Sequence, residues 1–144
     1  MAAIAAGPLP VLSLDPILCD DDVLAARAYG ADAVVIPAGA TDAMAKKARA
    51  TRMVPLFLAK DEREARRAIE VGAKGLLIAA DSADAVASIA ATLPPTTRVL
   101  GQLLRDSDLR SLRALLGRVD AVVVEPLLAG TSEFESLQAE VDPA

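Results

Sequence analysis

The chain has 144 residues, a net charge of −5 and 53% hydrophobic residues, but only 2% aromatics. That length supports one domain with a hydrophobic core, and the core must be built from Ala, Val, Leu and Ile, as in parallel sheets covered by helices. The acidic balance repels phosphate backbones and argues against nucleic acid as a partner. There is no histidine and Cys19 is the single cysteine, so neither a Cys/His zinc cluster nor an intrachain disulfide can form.

The opening stretch MAAIAAGPLPVLSL is apolar, lacks a basic leader and is broken by Pro8 and Pro10. It does not read as a signal peptide, and no apolar run reaches the ~18 residues of a membrane span. A soluble, cytoplasmic protein without membrane contact is expected, and a lone thiol fits a reducing compartment. The first strand is predicted over Pro10–Leu14, followed by a helix over Asp21–Tyr29 whose start is marked by Asp20–Asp22 as cap and dipole complement. Gly30 stands where a helix C-cap wants positive φ, and Gly72 repeats this further on. A strand over Ala33–Pro37 leads to a helix over Asp42–Thr51, capped by Thr41 or Asp42. Then come a strand over Val54–Ala59, a helix over Asp61–Val71 capped by Asp61, and a strand over Gly75–Ala79. A helix over Ser82–Thr92, a strand over Val99–Leu103, a helix over Asp106–Leu116 capped by Ser107 and a strand over Ala121–Glu125 complete the series. Residues 131–144 form a polar tail with one or two helical turns and a frayed end.

Three stretches resemble one another: residues 26–38, 67–80 and 115–126 each close a helix, turn through Gly-Ala or an equivalent pair, and enter a short β-branched run. The strand candidates are continuous apolar runs rather than alternating ones, which signals burial on both faces and a parallel sheet. A strict strand–helix repeat with short loops gives either a βα-barrel or an open doubly wound sheet. Strand starts spaced roughly every 21–23 residues favour the barrel. The fold expected is α/β, a partial TIM-barrel-like (βα)6 parallel sheet forming one domain over residues 1–144. The basic runs Lys46–Arg52 and Arg63–Arg67 fall on helices and read as solvated faces.

Several of these segments resemble indole-3-glycerol phosphate synthase, a ribulose-phosphate-binding barrel. LPVLSLDPILCDDDVLAARAYGADAVVIPA (9–38) is similar to that family's third strand, third helix and fourth strand. MVPLFLAKDEREARRAIEVGAKGLLIAAD (53–81) is similar to the fifth strand through the sixth. RVLGQLLRDSDL (98–109) and RVDAVVVEPLLAG (118–130) resemble the seventh and eighth. The resemblance covers about residues 9–130 and leaves the family's first two strands without a counterpart. It implies a lyase of tryptophan biosynthesis that closes an indole ring by condensation, decarboxylation and dehydration.

The residues that chemistry requires are replaced. Where the family has a general-acid Lys after its third strand this chain has Leu14, and a leucine cannot donate a proton. Asp15 matches the family's Asp, while Pro16 replaces the Phe that lines the substrate pocket. Leu58 stands for the catalytic Glu of the fifth strand and Lys60 for a His. Ala79 and Asp81 stand for an Asn and an Arg, and Gln102, Leu103 and Leu104 for a Glu, a Ser and a Gly. Glu125 replaces the Gly that leaves room for phosphate, and Pro126 removes a donor N–H.

In barrels the site lies at the C-terminal ends of the strands. The polar residues expected there are Asp15, Lys60, Asp81, Gln102, Arg105 and Glu125. They are candidates for a remnant pocket or, alternatively, solvated loop residues: Asp61 would cap a helix and leave Lys60 in water. No catalytic residue, metal site or cofactor is expected, and a nucleophilic Cys19 would lack a histidine base. The expected role is a catalytically inactive interaction, scaffold or regulatory module. The alternatives are the family's lyase activity and a sensor of phosphorylated sugars or anthranilate-like molecules. Six strands leave open barrel edges, so self-association or a protein partner is expected to cover them.

Overall fold

The computed structural model describes residues 9–15, 17–39, 42–105 and 108–124, and within the tail Ser132, Glu135, Ser136 and Ala139. Six strands, β1 (Leu12–Ser13), β2 (Ala33–Ile36), β3 (Val54–Ala59), β4 (Gly75–Ala80), β5 (Arg98–Leu103) and β6 (Ala121–Val123), alternate with five helices. The helices are α1 (Asp20–Ala28), α2 (Asp42–Ala50), α3 (Glu62–Glu70), α4 (Ala83–Ala91) and α5 (Leu109–Arg113). All pairings are parallel and the strand order is the sequence order. A doubly wound sheet reverses direction at a switch point. This one does not, so the sheet curls into a half-barrel with its helices on the convex side.

Alternation along the strands divides the sheet into two faces. Ile36, Phe57, Leu76, Ile78, Val99 and Leu103 join the core under the helices, which meet them through Ala26, Ala45, Ala48, Ala65, Ala68, Val86 and Ile89. Val35, Leu56, Leu77 and Ala79 are buried as well but stand apart from that core, on the concave face. There Leu56 leans across its neighbour. A Cβ built at Gly75 would lie 2.7 Å from Leu56 Cδ2, so glycine is what lets the two strands share this space.

The repeated helix-to-strand turns have one geometry. Gly30 (φ 97°) and Gly72 (φ 90°) follow α1 and α3, and the amides of Ala31 and Ala73 bond back to the carbonyls of Ala26 and Ala68. The same bond joins Met53 to Ala48 after α2, but the left-handed position there is Arg52 (φ 62°). At the foot of the sheet two aspartates tie neighbouring strand starts together. Asp32 accepts from the Val11 amide and Asp120 from the Val99 amide, both at 2.8 Å. Each also returns its own amide to the same residue's carbonyl.

Several elements are shorter than the sequence suggests, among them the last strand, which runs Ala121–Val123 rather than Ala121–Glu125. The helix expected over Asp106–Leu116 runs only Leu109–Arg113. Its cap is Asp108, whose Oδ1 accepts from the Ser111 amide at 2.7 Å, and turns over residues 114–118, with Gly117 at φ 78°, follow it. The first strand contracts to Leu12–Ser13, next to Pro10, which has no amide to give a ladder. Thr41, Ser107, Pro16 and Pro126 lie outside the described residues.

Replacing Asp120 by Ala leaves the Val99 amide without its acceptor. The variant should lose about 1–2 kcal/mol in urea unfolding with an unchanged m-value. Arg52→Gly relieves a left-handed backbone that costs about 1 kcal/mol or more in a non-glycine residue, partly offset by the greater freedom of the unfolded chain. A net gain of about 0.5 kcal/mol is expected, read as a higher urea midpoint.

Candidate functional site

The C-terminal ends of the strands form the rim where function sits in barrels. Strand alternation and register decide which residues face the concavity. Ala79 pairs with Gln102 and Gln102 with Val123, so these three share the concave face. Leu58 pairs with Leu77 on the same face. Leu103, expected at the substrate-facing position after Gln102, is instead turned into the helix-side core at 3% exposure. One-residue alternation makes that unavoidable once Gln102 faces inward. At the concave strand ends the chain therefore presents Leu14, exposed, Leu58, half-buried, and Ala79, buried, beside the half-buried Gln102.

Of the six polar candidates, the structure brings two together. Arg105 Nε stands 3.8 Å from Asp81 Oδ1 across the β4 and β5 ends, with both side chains more than half exposed. Asp15 is exposed beyond β1, at the other edge of the sheet. Lys60 is exposed and sits just before the cap of α3: its amide donates to Glu64 Oε2 at 2.8 Å, while Asp61 Oδ1 accepts from the Glu64 amide at 2.8 Å. Glu125 lies outside the described residues.

Two described carboxylates, both at helix starts, are held below their ordinary range. The amides of Leu18 and Cys19 hold the Asp22 carboxyl below its ordinary range at the start of α1. The Ser111 amide does the same for Asp108. Cys19 is exposed at this cap, its Sγ 3.5 Å from Asp22 Oδ2. Among the described residues no group of three His, Cys, Asp or Glu could hold a metal ion. No described helix is long and apolar enough to cross a membrane. A cleft of about 490 Å3 opens on the helix side, bounded by Asp84, Ala87, Ser88 and Arg118.

Sequence reasoning missed the roles of Asp32 and Asp120. The signal was present as the repeated Asp-Ala-Val-Val at 32–35 and 120–123. The open first edge expected from the sequence carries apolar exposure near it: Leu9, Leu14, Leu18 and Leu24 are 78%, 48%, 77% and 41% exposed.

Comparison with known proteins supports a relation to the synthase over part of the chain. Indole-3-glycerol phosphate synthase from Streptomyces griseus subsp. griseus is 37% identical over 71 residues, covering 46% of this chain. The match spans about a quarter of the length of that relative, 26%. No family model matches the chain. Solved structures similar to it show the fold alone. FabK from Thermotoga maritima superposes with a TM-score of 0.63 at 14% identity, over 88% of this chain and 44% of that one. A cube-shaped, highly porous protein cage, designed by fusing symmetric oligomeric domains, gives 0.60 at 20% identity, over 87% and 47%. A native KDPGal structure gives 0.59 at 19% identity, over 87% and 62%.

The Asp81–Arg105 pair is exposed and long, so its coupling should be small. A double-mutant cycle with Asp81→Ala and Arg105→Ala should give no more than about 0.5 kcal/mol, falling further in 1 M salt.

Proposed function

We propose that this chain is a catalytically inactive interaction module built on a partial, synthase-like barrel. The observation that carries this reading is the make-up of the concave strand ends. Leu14, Leu58 and Ala79 occupy positions where the resemblance calls for groups that transfer protons or bind substrate. A proton-transfer step needs a group that titrates within reach of substrate, and aliphatic side chains supply none. The apolar residues exposed along β1 and α1 add a surface of the kind that protein partners cover.

A second reading, a carboxy-lyase of the indole-3-glycerol phosphate synthase type, is favoured by the 37% identity over 71 residues. Under that reading the acid and base would come from elsewhere, and Lys60, Gln102 and Arg105 would bind substrate. The two separate by experiment. The purified chain is incubated with carboxyphenylamino-deoxyribulose phosphate and indole fluorescence is followed. The interaction reading expects no product above a protein-free control. Turnover that disappears in Lys60→Ala or Gln102→Ala would establish the lyase reading in its place.

A further inference from the structure

Among the described residues β1 and β6 are the edges of the half-barrel with no further strand beside them, and they belong to strands that run in the same direction. Val11 turns its backbone inward, where its carbonyl accepts from the Asp32 and Ala33 amides, so alternation turns the Leu12 amide and carbonyl outward. At the far edge Ala121 is exposed, and Val122 and Val123 are only half-buried. We propose that two copies of this chain close into one ring, with β6 of each copy pairing in parallel with β1 of the other about a two-fold axis along the barrel. This deepens the interaction reading, on which it rests, by naming a second copy as the partner.

Three features of the chain select this arrangement. A two-fold axis along the strands satisfies both edges of both copies at once and leaves none exposed, whereas pairing β1 with the partner's β1 leaves two β6 edges open. The edges match in polarity, since Leu9, Leu14 and Leu18 flank β1 and valines form β6. Charge discriminates as well. Residues 9–32 carry five carboxylates and one arginine, while residues 98–124 carry five arginines and three carboxylates. Arg98, Arg105 and Arg118 already pair with Asp120, Asp81 and Asp84 of the same chain, so what the charges select against is pairing β1 with itself, which would set two acidic units together.

Cross-linking tests the seam. In a Cys19→Ser background, Leu12→Cys and Val123→Cys place thiols on the concave face of the two edges. Within one chain they lie four strands apart from being neighbours, well beyond the ~7 Å Cα separation that a disulfide tolerates. Mild oxidation of a mixture of the two single variants should give a disulfide-linked dimer, and either variant alone should give little. Dimers from Leu12→Cys alone would overturn the arrangement. Sedimentation of the unmodified chain keeps the test decisive if the variants fold poorly: a dimer at tens of micromolar is expected, and a monomer there sinks the proposal. Lyase turnover by a cross-linked ring would remove the inactive-module reading and leave the ring standing, so the two failures are distinguishable.

Discussion

The structure depends on the close approach of helices to sheet through alanine. The buried faces of α2 and α3 consist of Ala45 with Ala48 and Ala65 with Ala68, pairs three residues apart on one side of each helix. Alanine ends at Cβ, so bulk comes from the strands, from Ile36, Phe57, Leu76 and Ile78, which are at most 2% exposed. Each such side chain contributes about 1.5–3 kcal/mol on burial. Among the described residues this core holds a single phenylalanine, Phe57, and the chain has no tryptophan. It also favours short helices, because a nine-residue helix with two alanines inward has already made its contact with the sheet.

Much of this was legible in the sequence because the βα repeat writes the same instructions several times. Continuous apolar runs gave the six strands, and the Gly-Ala turns gave helix ends at positive φ. The third such turn was harder to see, since Arg52 holds the left-handed position that glycine holds at 30 and 72. The ends of the sheet were less legible. Pro10 shortens the first strand, and Asp108 rather than Ser107 starts a helix of barely more than one turn. In both places one residue's hydrogen bonding outweighed a periodic pattern.

The candidate site was legible as a list of positions and not as an assembly. Sequence spacing put six polar residues near strand ends. Pairing register and helix capping then separated them: Asp81 meets Arg105, Lys60 belongs to the start of α3, and Asp15 sits at the opposite edge. Strand alternation also sent Leu103 into the core while Gln102 stayed on the concave face. What the strand ends share is aliphatic surface, a property that a search for titratable groups passes over.

Strand order that follows sequence order has a consequence for biogenesis. Every strand finds its neighbour in the unit made just before it, so loop closure spans only a single helix and its turns. Contacts of this local kind favour rapid folding. The growing chain can therefore add one βα unit after another as it leaves the ribosome, with each new strand docking onto an edge that is already formed. The aspartates at the foot of the sheet act early in that sequence: Asp32 grips the first strand as soon as the second emerges.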